Sequence, residues 1–148
     1  PGVRQALDVY AKSHPEAAEQ FKVSQRSPAR WEGDIRKFEG EDRAAGMPTG
    51  GGMFYGSSSV RLWDLAESFP GRGFVNRGFG GCETSDVVHF TRRVVLPRRP
   101  HVIVVYAGDN DLANGKSSIR VARDFEEFVR RVHRALPQAR IVYLPVKA

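Results

Sequence analysis

Cysteine is almost absent, with Cys82 the only one in 148 residues. No internal disulfide can form, and a cysteine-rich zinc site is excluded. A lone thiol fits a reducing compartment, so a cytoplasmic location is slightly favoured. Long apolar runs are missing as well. None approaches the roughly 20 residues that a bilayer-spanning helix needs. The start, Pro1-Gly2-Val3-Arg4, has neither an initiator Met nor the apolar core of a secretory leader. Residues upstream are therefore expected, a removed leader among the options. Acidic residues are the minority, 17 against 23 basic ones, for a net charge of +6. The arginines are dispersed, with short pairs at Arg92-Arg93, Arg98-Arg99 and Arg130-Arg131. No basic motif interleaved with aromatics appears, so a solvated basic surface is expected and a nucleic-acid partner is not.

What is present fits one folded domain. Hydrophobic residues make up 41% of the chain and charged residues 27%, ordinary values for a globular protein with a substantial core. Residues 1 to about 26 are helical in character, with Val3, Leu7, Tyr10 and Ala11 at helical spacing and a break at Ser13-His14-Pro15. Ser27-Pro28 then supplies a cap and a first-turn proline. The stretch behind it repeats Trp31, Ile35 and Phe38 at i, i+4, i+7, which predicts a helix with its aromatic face against the main body. Ala45 to Gly52 is a glycine-rich connector. The expected division is a helical extension with its connector over 1–50 and a main domain over 51–148.

From Met53 the pattern alternates. Met53-Phe54-Tyr55 reads as a short strand, Val60 to Leu65 as a helix, and Phe74-Val75-Asn76 as a second strand. Ser85 to about Leu96 reads as helix. Val102 to Tyr106 is a β-branched run suited to a strand buried on both faces. Val121, Phe125, Phe128, Val129, Val132 and Leu136 mark an amphipathic helix before a strand at Ile141 to Leu144. Repeated β-α units imply a parallel sheet in a three-layer α/β/α domain of flavodoxin-like layout. Ligands in such sheets bind at the carboxyl ends of the strands.

Three segments occupy those ends. Gly56-Ser57-Ser58-Ser59 offers hydroxyls, Asn76-Arg77-Gly78-Phe79-Gly80-Gly81 offers backbone N–H groups, and Gly108-Asp109-Asn110-Asp111 offers a side-chain amide. Each has an ordinary explanation: a serine as a loop or helix cap, glycines as permission for positive φ, an asparagine as a turn residue. Together they supply a nucleophile and converging neutral donors, which acyl transfer requires because an oxyanion forms beside the attacking oxygen.

These three segments, each just after a predicted strand and in the right order, resemble the SGNH (GDSL-type) serine hydrolases, in the branch related to platelet-activating-factor acetylhydrolase subunits. The resemblance covers roughly residues 50 to 148. It implies Ser58 as nucleophile, with the backbone N–H groups of Ser58 and Gly81 and the side-chain amide of Asn110 holding the oxyanion. It also implies a small-molecule ester substrate, of lipid, aryl or carbohydrate type, and no metal or organic cofactor. Ser57 stands where many members carry Asp, so a carboxylate that would order the loop is missing there. Asp111 is expected to buttress the third loop. Cys82 either lines the pocket or is a small buried residue.

A serine nucleophile needs a base oriented by a third group. The family supplies both in a late Asp-x-x-His block, and no such block occurs before Ala148. His14, His89, His101 and His133 sit in the extension, within helices, or before the third strand. The His–Asp pair, with a last strand and helix, is therefore expected beyond residue 148, leaving the fourth strand as an open edge and the 148 residues nearly inactive. The rival expectation is a non-catalytic domain holding an anion where the turn at Gly56 meets a helix N-terminus.

Overall fold

The computed structural model describes Ser13 and residues 27–146, so the helical expectation for residues 1 to 26 lies, Ser13 apart, outside the described residues. The chain enters through its predicted cap. The Ser27 hydroxyl accepts from the Ala29 N–H at 3.3 Å, and Pro28 opens a 3₁₀ turn, Pro28–Trp31, where its missing N–H costs nothing. Helix α1, Glu32–Ala44, follows. Its spacing puts Trp31, Ile35 and Phe38 on one face, and all three are buried in the core shared with Tyr55, Phe79 and Phe90. The aromatic face therefore packs on the main body, as its periodicity predicts.

Charge fastens the same helix. Asp42 and Arg77 are both buried and 2.6 Å apart, and Arg98 also donates to Asp42. Arg77 reaches Glu41 at 2.8 Å and lies over the Phe38 ring at 5.0 Å. Asp42 thus sits between two buried guanidiniums, and its removal would leave Arg77 with Glu41 alone and take the carboxylate from Arg98.

The strands are β1 Gly52–Gly56, β2 Val75–Gly78, β3 Val102–Tyr106 and β4 Arg140–Tyr143. They form one parallel sheet in the order β2-β1-β3-β4. Between them lie α2 Ser58–Arg61, α3 Leu65–Ser68, α4 Thr84–Val94, a 3₁₀ turn Leu96–Arg98, α5 Asp109–Ala113 and α6 Ser118–Ala135. This is the α/β fold expected from the alternation. No helix among the described residues is long and apolar enough to cross a membrane.

Several boundaries differ from expectation. The helix expected over Val60 to Leu65 is two short ones, because Asp64 breaks the run by accepting from the Glu67 N–H at 2.9 Å and capping α3. β2 begins one residue late and continues through Arg77 and Gly78, whose pairing with β1 outweighs their low strand propensity. α4 stops at Val94, two residues short, and Pro97 belongs to the 3₁₀ turn. β4 is shifted one residue toward the amino end.

Burial of β3 on both faces is also corrected. Ile103 and Val105 are wholly buried, whereas Val102, Val104 and Tyr106 are half-exposed. One face is covered by α1, α4 and α6, and carries the main core. The other carries only Phe54, Val60 and Leu65, with Phe69, Phe74, Val104 and Tyr106 packed against them. On β4, Val142 is 40% exposed.

Candidate active site

Register brings the three strand ends to one level. Gly56 is opposite both Gly78 on β2 and Tyr106 on β3. The ladder runs one step further, with the Ser57 N–H on the Tyr106 carbonyl and the Phe79 N–H on the Gly56 carbonyl, both at 2.9 Å. Gly56 has φ +140, and a Cβ there would run into the Tyr106 carbonyl oxygen. Glycine is thus what allows β1 and β3 to close up under the turn. A Cβ at Gly78 would strike the Arg61 backbone, so glycine also lets α2 sit on the end of β2.

Ser58 is the first residue of α2 and half-buried. Its hydroxyl has no hydrogen-bond partner among the described residues. Its N–H is one of those a helix leaves unused at its start. Ser57 beside it is wholly buried, and its hydroxyl donates to Asp109 Oδ1 at 3.3 Å. The carboxylate missing from the first turn is thus supplied by the third loop. Gly81 lies in the β2–α4 loop with φ +75, and its N–H meets no acceptor among the described residues. Asn110 is the second residue of α5, and its Nδ2 donates to the Cys82 carbonyl at 2.9 Å. One amide N–H is used in that bond, and the second stays available. Ser58, Gly81 and Asn110 therefore share one end of the sheet, on loops tied to one another.

A buried polar cluster supports the second and third loops. Asp111 is fully buried and accepts from the Thr84 N–H at 2.8 Å, the Thr84 hydroxyl at 3.2 Å and Lys116 at 3.2 Å. It buttresses the third loop, as expected. Lys116 also pairs with Glu83 at 2.8 Å. Burial works to neutralise Lys116, but the Glu83 and Asp111 carboxylates outweigh it and hold the ammonium above its ordinary pKa. Asp86 accepts from the Glu83 N–H at 2.8 Å in the capping box of α4, and burial raises its carboxyl to about 6. Cys82 belongs to the core, and burial, with Asp86 nearby, pushes its thiol up. Of the two expectations for Cys82, the small buried residue holds.

No histidine among the described residues is within hydrogen-bond reach of Ser58. His89 is exposed on α4 against Phe90. His101 precedes β3, its N–H on the Gly51 carbonyl. His133 on α6 lies 3.0 Å from the Ala139 carbonyl, near the start of β4. His14 lies outside the described residues. A groove beside the Ser58 turn is lined by Ser59, Val60, Trp63, Tyr106, Leu144 and Pro145. A more apolar one, with Leu112, Val121, Phe125, Tyr143 and Val146, opens beside α5.

Some of these parts have no local sequence signal. The Ser57–Asp109 bond, the Asn110–Cys82 bond and the Lys116 cluster join residues 27 or more positions apart, the contacts of Lys116 with Asp111 and Asp124 excepted.

Known proteins agree with this architecture. No curated protein matches the sequence. Among solved structures, a protein from Streptococcus pneumonia proposed to be a platelet activating factor is 20% identical, with a TM-score of 0.68 over 95% of this chain and 61% of its own. A GDSL-like lipase from Bacteroides thetaiotaomicron is 18% identical, with a TM-score of 0.64 over 74% of this chain and 56% of its own. The SGNH-hydrolase family esterase AlinE4 is 20% identical, with a TM-score of 0.57 over 68% and 60%. The chain thus spans between 56% and 61% of the length of these three structures. At such identities the likeness shows the fold. Membership rests on the family model of GDSL-like lipases and acylhydrolases, which matches residues 45–148, more than half of the sequence, and the chain belongs to that family.

Proposed function

We propose that the chain carries the nucleophile and oxyanion donors of a serine esterase. Ser58 Oγ attacks the carbonyl carbon of an ester, and its proton passes to a general base as the tetrahedral oxyanion forms. The Ser58 N–H, the Gly81 N–H and the Asn110 side chain donate to that oxyanion. Collapse expels the alcohol and leaves an acyl-Ser58, which water then hydrolyses. The base in this mechanism is a His–Asp pair outside the 148 residues, and the division into an extension over 1–50 and a hydrolase domain over 51–148 goes with it. Small carboxylic esters are the substrate class.

The observation that carries this function is the linkage of the three loops. Asn110 is bonded to the carbonyl of Cys82, the residue after Gly81, Ser57 is bonded to Asp109, and Ser58 and Gly81 keep their N–H groups unengaged among the described residues. The rival, an anion held at a helix N-terminus, is weakened because α2 is a single turn with little dipole to offer.

A fluorophosphonate probe tests the proposal. At alkaline pH, where hydroxide takes the serine proton, the Ser58 Oγ–P bond forms and fluoride leaves. Mass spectrometry is expected to find the label on Ser58, and Ser58→Ala is expected to lose it. Undiminished labelling of Ser58→Ala would sink the assignment.

A further inference from the structure

Resting on the Ser58 mechanism, we infer that Trp31 is a positioning residue that aims the Gly81 N–H at the oxyanion. Trp31 Nε1 donates to the Gly80 carbonyl at 2.9 Å across 49 residues of chain. Trp31 is 2% exposed, and its ring meets Phe79 edge-on at 5.9 Å. The Arg30 guanidinium lies over the indole ring, 4.5 Å from its centroid. The indole is therefore a rigid donor.

The bond matters because of what it orients. The Gly80 carbonyl and the Gly81 N–H belong to one peptide, which is planar and trans, so the two groups point in opposite directions. Holding the carbonyl on the indole fixes where the N–H points. Glycine flanks that peptide on both sides, and Gly81 sits at φ +75, so no side chain resists its rotation. Two carbonyls along, that of Cys82 is held by Asn110 at 2.9 Å. The loop is thus pinned on either side of Gly81, once from the third loop and once from the helical segment before residue 45. Trp31 is outside the span of the family match and outside all three strand-end motifs. The helical segment would then serve the site as well as the core.

The cost of losing the bond should fall on reactivity rather than on folding. Gly80 is a half-buried loop residue, so water can take the place of the indole on its carbonyl. The peptide would then be free to turn its N–H away from the oxyanion, and losing one such donor typically slows acyl transfer by about 10²–10³.

The test compares Trp31→Phe and Ile35→Val in the 148-residue chain. Ile35 is buried on the same helix and core, and its truncation loosens α1 without touching a donor. Trp31→Phe is expected to slow fluorophosphonate labelling of Ser58 about tenfold or more, with a thermal midpoint close to that of Ile35→Val. In glycine-labelled protein, the Gly81 amide resonance should shift on phosphonylation of the unaltered chain and not of Trp31→Phe. Ile35→Val should label at the unaltered rate. Equal labelling of Trp31→Phe and the unaltered chain overturns the inference, as does equal slowing by Ile35→Val. Should Trp31→Phe fail to fold, benzothienylalanine in place of Trp31 in a Trp63→Phe background keeps the ring and removes only the N–H. If the unaltered chain is not labelled at Ser58 at alkaline pH, this inference is overturned, while the Ser58 mechanism is judged separately by labelling of the protein that includes its general base.

Discussion

On one side of the sheet Met53, Tyr55, Ile103 and Val105 are sealed beneath α1, α4 and α6; on the other, Phe54, Val104 and Tyr106 meet only two one-turn helices and the Phe69–Phe74 segment. The candidate site draws on both. Gly81 and Asn110 lie on loops anchored to the packed side through Trp31, Cys82 and Thr84. Ser58 begins a helix whose only buried residue, Val60, belongs to the thin side. Asn76 reinforces that helix, donating to the Val60 carbonyl at 2.6 Å and the Trp63 carbonyl at 3.1 Å. Of the candidate residues, Gly81 and Asn110 thus rest on the better-packed part of the domain, and Ser58 on the part with least cover.

Large-to-small substitutions on the two sides test this difference most strongly. Phe128→Ala, in the packed core, should lower unfolding free energy by about 3–5 kcal/mol in urea titrations. Phe54→Ala, under the thin cover, should cost less, about 2–3 kcal/mol, because its neighbours are freer to collapse into the space. A larger loss at Phe54 would reverse the ranking of the two faces.

A smaller effect separates them by pH. Asp86, at the head of α4 on the packed side, titrates at about 6 against an ordinary 3.8 because it is buried. The folded chain therefore holds this proton more tightly than the unfolded chain does. Its stabilising contribution is complete below about pH 4 and is lost as pH rises through about 6, a change on the order of 1–2 kcal/mol. Asp86→Asn is neutral throughout and should flatten that part of the stability–pH curve. An unchanged slope between pH 4 and 6 would remove Asp86 as its source. The smallest effect is expected at the open edge of the thin side. Val142→Thr should change stability by no more than about 0.5 kcal/mol, since the side chain is already largely in solvent.

The fold was legible wherever the signal was local. Ser27-Pro28 reads as a helix start, Trp31, Ile35 and Phe38 as one buried face, and Val102 to Tyr106 as a strand, because caps, periodicity and β-branching act within a few residues. The helix expected over Val60 to Leu65 breaks at Asp64, whose capping potential is equally local. The half-covered state of Val104 and Tyr106 was not legible. A β-branched run states that a strand is apolar, and the neighbouring layer decides how much of it is covered.

The residues after the strands could be picked out in order from the sequence, since turn chemistry and strand order place Ser58, Gly81 and Asn110 at one end of a parallel sheet. Which groups orient them was decided by tertiary structure alone. Asp109 returns to Ser57 the carboxylate its turn lacks, Asn110 grips the Cys82 carbonyl, and Trp31 grips the Gly80 carbonyl from 49 residues away. Such bonds depend on how separate segments meet in the packed core, and a peptide flanked by two glycines carries no local instruction about which way it faces.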